Sequence, residues 1–111
     1  MAKFLKNLDY ATVLVLKDQI DYLKGQVISK TLAQNDAFGM TLFAIAAGEG
    51  ISAHKSTGDA FVYGLEGTGV ICIDDKSYDV GPGECIVMPA GQPHSVSAKD
   101  NFKFLLVVAF V

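Results

Sequence analysis

Turn-forming residues recur along this chain at short intervals, and they constrain its fold more than any other feature. Nine of the eleven glycines lie at positions 48–91, and all three prolines lie at positions 82–93. Glycine and proline interrupt helices and mark the corners between strands. No stretch between these corners keeps a helical period. Many short strands separated by turns at this spacing are typical of an all-β sandwich or barrel.

The apolar runs between the turns define the predicted strands. They cover residues 27–33, 38–46, 61–65, 70–73, 84–88, 94–98 and 102–111. Two of these runs, 70–73 and 104–110, are apolar at every position rather than at alternate positions. A sheet with one face in water alternates apolar and polar residues. Both faces of these strands must therefore be covered.

The last strand predicts that a second copy of the chain supplies part of this cover. It contains no polar residue after Lys103, and monomers rarely expose an apolar patch of more than a few hundred Å². An isologous contact across a two-fold axis would cover it. We therefore expect a homodimer that buries at least roughly 1,000 Å² in total. The sequence leaves open whether the even-numbered or the odd-numbered positions of 104–109 face outwards.

The segment before the first strand predicts one or two helical turns. Asp18 is a candidate N-cap, Ile20 and Leu23 follow at helical spacing, and Gly25 is a stop signal. The chain of 111 residues contains no internal linker or repeat. We therefore predict a single domain over residues 1–111.

The charged residues weigh against nucleic acid as a partner. All nine cations are lysine, and the net charge is −3, whereas nucleic-acid-binding surfaces are basic and use arginine. The longest apolar run, 104–111, is far shorter than the roughly 20 residues of a membrane-spanning helix. We expect no membrane partner and a cytoplasmic protein. Cys72 and Cys85 each lie in an apolar run, which predicts two reduced, buried thiols.

Two glycine-containing stretches hold the only two histidines. The first, residues 48–67, reads G-x5-H-x-S-x3-A-x6-G and contains His54. The second, residues 83–98, reads G-x5-P-x-G-x2-H-x3-A and contains His94. These stretches resemble the two motifs of the cupin superfamily, G-x5-H-x-H-x3,4-E-x6-G and G-x5-P-x-G-x2-H-x3-N. Every glycine and proline position of both motifs is matched.

The resemblance implies a small conserved-barrel cupin, which is a double-stranded β-helix or jelly-roll barrel with a small-molecule site inside. In metal-binding cupins the ligands are the two histidines and the glutamate of the first motif and the histidine of the second. Here Ser56 and Ala60 stand at two of those four positions, which leaves His54 and His94. Three protein ligands are usual for zinc or iron. We expect at most one weakly held divalent transition metal (Zn, Fe, Mn or Ni) and otherwise no cofactor.

The role of the histidine pair stays open between two alternatives. In one, both rings line the barrel and hydrogen-bond to each other, to water or to the backbone. In the other, they hold a divalent metal that water or substrate completes. Asp59 is a further candidate ligand, because a bulge at 56–58 would turn it to the side of His54. The alternative, which the sequence favours, is that Asp59 caps the turn through its own backbone.

Strand alternation, counted from His54, predicts the walls of a ligand pocket. The inward positions are His54, Ser56, Ala60, Val62, His94 and Val96. Two imidazoles in largely apolar walls suit a small, mostly apolar or weakly polar molecule better than a polyanion. Phe61, Tyr63 and Leu65 are expected to point outwards.

Three functions fit these residues. The first is a barrel that binds a small molecule, and the second is a metal-dependent cupin enzyme of the dioxygenase, isomerase or decarboxylase kind. The third is a structural barrel without an active site. Loss of two ligand positions favours the first and third functions, whereas retention of both histidines keeps the enzyme open.

Overall fold

The computed structural model describes residues 4–110, which form nine strands in two sheets. The strands are β1 (Val27–Gln34), β2 (Phe38–Ile45), β3 (Gly50–His54), β4 (Asp59–Glu66), β5 (Gly69–Ile73), β6 (Lys76–Val80), β7 (Cys85–Met88), β8 (His94–Ala98) and β9 (Phe102–Ala109). The five-stranded sheet has the order β1-β2-β9-β4-β7, and the four-stranded sheet has the order β3-β8-β5-β6. Every neighbouring pair is antiparallel. The predicted all-β class is confirmed.

The core lies between the two sheets. Ala60 and Val62 of β4 are buried in it, whereas Phe61 and Tyr63 on the same strand are exposed. Ile71 of the four-stranded sheet belongs to the same buried cluster. Strand alternation thus separates the barrel interior from its outer surface.

Two strands, β3 and β6, are missing from the prediction, which placed no strand in residues 47–60 or 74–83. They are the two edge strands of the four-stranded sheet. Four of the five residues of each strand are exposed, so neither strand needs an apolar pattern. The reason for the error is physical, because an edge strand that faces water does not show the alternation by which strands are recognised.

The glycines of the two motifs form corners between strands. Gly48, Gly67, Gly83 and Gly91 all have positive φ, between 70° and 85°, a region that costs other residues about 1–2 kcal/mol. At Gly67 a Cβ atom would in addition collide with the backbone carbonyl of Asn101. The spacing of glycines in the motifs therefore reflects the backbone conformation of the corners.

The helical turn near the amino end begins earlier than predicted. A 3-10 helix occupies Leu16–Gln19, and the chain is already extended at Ile20. Asp18 lies within this helix instead of capping it, and Gly25 belongs to a turn with positive φ. A short helical turn is present, but its predicted position was wrong.

Two lysine side chains from the sheet explain why this helix ends early. The ammonium of Lys103 donates to the carbonyl of Lys17 at 2.7 Å, and that of Lys30 donates to the carbonyl of Gln19 at 2.6 Å. An α-helix continuing past Ile20 would use these carbonyls for its own hydrogen bonds. The two lysine side chains instead hydrogen-bond to these carbonyls and hold the amino-terminal segment against the outer face of the five-stranded sheet.

The outward side of β9 consists of its odd-numbered positions. Phe104, Leu106 and Val108 face the interior, as their place on the cavity wall described below shows. Leu105 packs on the outside in a second apolar cluster with Leu42 and with residues of the amino-terminal segment. For this part of the outer face, the cover expected from a second copy comes from the amino-terminal segment of the same chain. The predicted strand end at residue 111 lies outside the described residues.

Farther along the outer face, a row of apolar side chains remains accessible. Phe61 of β4 is paired with Val87 of β7 on one side and with Val107 of β9 on the other. Phe61 is 37% exposed and Val87 is 50% exposed. Leu65, expected to point outwards, is partly buried against the amino-terminal segment.

The two cysteines are free thiols in different environments. Cys72 is partly buried, with its sulfur 3.3 Å from the hydroxyl of Ser77, and Cys85 is exposed. The expectation of two buried thiols is wrong for Cys85, because it lies on the outward side of β7 beside exposed Tyr63. Residues 4–110 contain no helix long and apolar enough to cross a membrane.

Candidate functional site

A bulge in β3 places His54 opposite His94. Ile51 pairs with Val96, but the next registered pair is His54 with His94. Between these two pairs β3 advances by three residues, whereas β8 advances by two. In a regular strand, Ile51 and His54 would face opposite sides. The extra residue restores the parity, and both side chains line the same cavity. The two rings are 4.4 Å apart between centroids and nearly perpendicular, at 72°.

The backbone fixes the tautomer of both histidines. Nδ1 of His54 lies 3.0 Å from the carbonyl oxygen of Ser52, and Nδ1 of His94 lies 3.2 Å from that of Gln92. A carbonyl oxygen only accepts hydrogen bonds, so Nδ1 carries the proton of each neutral ring. Each Nε2 then keeps a lone pair, which is the form that binds a metal or accepts a hydrogen bond.

His94 is held in its neutral form. It is 2% exposed, whereas His54 is exposed to solvent at the mouth of the cavity. Burial, and secondly the charge of a protonated His54, lower the pKa of His94 below its ordinary value of 6.5. A neutral ring keeps its Nε2 lone pair at neutral pH.

Ser56 and Asp59 hold the loops around the site together. The Ser56 hydroxyl accepts a hydrogen bond from the amide of Gly58 at 3.2 Å, and its carbonyl accepts one from the amide of Gly91 at 2.9 Å. One Asp59 carboxylate oxygen accepts the amide of Ala90 at 2.8 Å. Asp59 therefore caps the opposite loop rather than its own turn, and its carboxylate serves the backbone instead of the histidines.

An apolar cavity of about 580 Å³ opens beside the histidine pair. Its lining consists of Val27, Phe43, Ile51, His54, Lys55, Ser56, Thr57, Ala60, Met88, His94, Val96, Phe104, Leu106 and Val108. Five of the six predicted pocket residues are in this lining. Val62 is not, because it is fully buried in the core with Ile71 and Val80, beyond the cavity wall.

Most of the apolar wall could not be predicted from the sequence. Phe43 and Phe104, whose rings stack with centroids 4.9 Å apart, come from β2 and β9, far in sequence from either motif. Only the pairing of these strands in one sheet brings them to the site. Lys55 and Thr57 could have been predicted as lining residues, because they directly follow His54 and Ser56 in the chain.

The donor set does not match a tightly held metal. Two imidazole nitrogens are present, whereas zinc and iron sites usually have at least three protein ligands. Among residues 4–110, no three His, Cys, Asp or Glu side chains are grouped to hold an ion. The tautomers suit a metal, but the number of ligands fits only weak coordination.

Comparison with known proteins places this geometry in a family. The Cupin domain family matches residues 41–110, which is more than half of the chain and includes both histidines. The chain belongs to the cupin family. No curated protein matches it in sequence.

Two solved structures share the whole fold. A conserved protein of unknown function from Streptococcus pyogenes is 40% identical, with a TM-score of 0.95 over 97% of this chain and 95% of that one. A cupin superfamily protein from Desulfitobacterium hafniense is 34% identical, with a TM-score of 0.92 over 96% of this chain and 98% of that one. The predicted jelly-roll architecture is thereby confirmed.

A more distant structure shows the fold alone. The DMSP lyase DddQ from Ruegeria pomeroyi is 18% identical, with a TM-score of 0.66 over 75% of this chain and 46% of that one. A fold carries many chemistries, so a likeness at this level assigns no reaction to this cupin.

Proposed function

We propose that this cupin binds a small, mostly apolar molecule in its barrel cavity, next to His54 and His94. The observation that supports this most is the cavity itself, about 580 Å³ and lined largely by aliphatic and aromatic side chains. This volume lies within the range of roughly 300–1,000 Å³ found for small-molecule sites. A few polar groups at one side of apolar walls are the usual arrangement of such sites.

We further propose that the histidine pair takes a divalent transition metal only weakly, through the two Nε2 atoms. The alternative is a metal-dependent enzyme, and the retention of both histidines in the cavity supports it. Elemental analysis of the purified protein separates the two functions. A binding protein retains little metal after gel filtration, whereas about one Fe, Mn, Ni or Zn per chain would favour the enzyme.

The binding function can be tested by filling the cavity. Val108 faces the cavity, whereas its neighbour Val107 faces outwards. Small aromatic compounds are expected to raise the Tm of the wild type and of Val107→Trp, because a ligand that binds only the folded state stabilises it. Val108→Trp is expected to lose much of this shift. Equal shifts for both variants, or none for the wild type, would contradict a ligand site in the barrel.

A further inference from the structure

The polar and apolar linings of the cavity lie on different walls. The five-stranded sheet contributes only apolar side chains, among them the stacked rings of Phe43 and Phe104. The polar lining comes from the end of β3, the loop after it and the start of β8. A ligand therefore lies with its apolar body on β2 and β9 and turns one side towards His54 and His94.

That side of the ligand meets hydrogen-bond acceptors. Both Nδ1 atoms donate to backbone carbonyls, so in the neutral ring each Nε2 atom carries a lone pair. Among residues 4–110, no group donates a hydrogen bond to either Nε2. A ligand that covers these atoms without donating a hydrogen bond displaces their water and leaves them unpaired.

The aromatic part of the wall favours an aromatic body. Phe43 and Phe104 stack on each other, with centroids 4.9 Å apart and 9° between their planes, and a third aromatic ring packs against such a pair by edge-to-face or offset contact. Lys55 is the only cation among the described lining residues, and it is exposed. Its attraction for an anionic ligand is weakened by solvent.

We propose that the cavity selects aromatic molecules with a hydroxyl group and that this hydroxyl donates a hydrogen bond to Nε2 of the histidine pair. This inference rests on the proposed small-molecule binding and names its ligand class. An ether of the same ring system lacks the donor, and a carboxylate presents negative charge to two lone pairs. Both should bind more weakly than the hydroxyl compound.

The test compares 2-naphthol with naphthalene, 2-methoxynaphthalene and 2-naphthoate, on the full chain after treatment with a chelator. We expect 2-naphthol to bind about tenfold more tightly than the other three in calorimetric titration, as one net hydrogen bond predicts. Naphthalene is smaller than 2-naphthol, so its weaker binding cannot come from a steric clash. In ¹⁵N NMR spectra of the histidine rings, 2-naphthol should shift an Nε2 resonance and naphthalene should not.

Variants separate the hydrogen bond from packing. His54→Phe and His94→Phe each keep an aromatic ring but remove an acceptor, and at least one should reduce the preference for 2-naphthol over naphthalene to about onefold. Tyr78→Phe removes an exposed hydroxyl outside the cavity and should leave the preference unchanged. The NMR measurement on the wild type decides the question even if His94→Phe does not fold.

The outcomes distinguish this inference from the function on which it rests. Equal affinity for the four compounds, tightest binding of 2-naphthoate, or unchanged Nε2 resonances would overturn recognition of a hydroxyl donor and leave ligand binding in place. A preference that persists in both histidine variants would overturn it as well. Absence of binding by all four compounds would contradict the inference and the proposed binding function together.

Discussion

The buried ammonium of Lys103 leads to a prediction about two neighbouring charges. Lys103 is 7% exposed, and its Nζ lies 2.7 Å from the Lys17 carbonyl and 3.8 Å from a carboxylate oxygen of Glu66. The Glu66 side chain is 39% exposed and accepts a 2.6 Å hydrogen bond from the hydroxyl of Tyr22. Burial, and next this bond to Glu66, raise the pKa of Tyr22, so Tyr22 stays a neutral donor.

Removing the cation should cost less than removing the anion. Lys103→Met loses a hydrogen bond from a charged donor, worth about 1.5–3 kcal/mol, but it also removes the cost of burying an ammonium. Neither former partner of the ammonium is left buried and unpaired. Lys17 is exposed, and Glu66 keeps its hydrogen bond from the hydroxyl of Tyr22. We expect a net loss of about 1 kcal/mol in the free energy of unfolding.

Glu66→Leu leaves the buried ammonium of Lys103 without a counter-ion. Loss of one partner of a fully buried pair costs about 3–5 kcal/mol, and the partial exposure of Glu66 reduces this to about 2–3 kcal/mol. Urea unfolding of both single variants and the double variant measures the order and the coupling. Lys99→Met is the matched control, since Lys99 pairs with Asp79 on the surface, and it should change stability by less than about 0.5 kcal/mol. A larger loss for Lys103→Met than for Glu66→Leu would refute this reasoning.

Three further predictions concern the metal, the corners and the assembly. His54→Ala or His94→Ala should abolish Zn²⁺ or Ni²⁺ binding in calorimetry, whereas Asp59→Ala should leave it intact; loss of metal in the Asp59 variant would instead reveal a two-histidine, one-carboxylate site. Gly91→Ala should lose about 1 kcal/mol of stability because of its positive φ alone. Gly67→Ala should lose at least about 2 kcal/mol, because its new Cβ atom would also collide with backbone. Equal losses of the free energy of unfolding in urea denaturation would contradict this difference. Sedimentation at micromolar concentration should give twice the chain mass for a homodimer, and a mass near 11.8 kDa would rule it out.

The strands of the core were predictable because burial imposes a pattern on them. β4 and β9 are apolar at inward positions whatever they pair with, so their existence follows from the sequence. Their pairing with each other does not, since about 40 residues separate them in the chain. Edge strands β3 and β6 escape the same reasoning because four of the five residues of each are exposed, so burial imposes no pattern on them.

The histidines were identified from the spacing of the motifs, but the sequence did not show what brings the two side chains together. His54 reaches the cavity through a bulge that follows Ile51. A bulge is defined by the register between a strand and its partner. The local sequence of β3 does not show how many residues of the partner strand lie opposite it. The same limit applies to Asp59, whose hydrogen-bond partner Ala90 lies 31 residues away in the chain.

The amino-terminal segment shows how tertiary contacts override a local helix signal. Ile20 is buried against Leu42 in the outer cluster, and this burial requires an extended chain where a helix was predicted. The same segment covers part of the outer face that the sequence assigned to a second copy. A homodimer would therefore use the remaining accessible row, centred on Phe61, rather than the whole of β9.

The two metal-ligand positions at which this cupin departs from the cupin motifs have different structural consequences. The hydroxyl and the carbonyl of Ser56 both accept hydrogen bonds from loop amides. Ser56 therefore connects the loops, and neither of these hydrogen bonds directs its hydroxyl towards a metal. Ala60 lies on the cavity wall and is 2% exposed, and a carboxylate there would place a charge in an apolar enclosure, which is unfavourable unless a cation pairs with it. With alanine the wall is apolar and needs no cation. Alanine at this position therefore also leaves the wall next to the histidines apolar, which is why we connect the proposed weak metal binding with the proposed ligand binding.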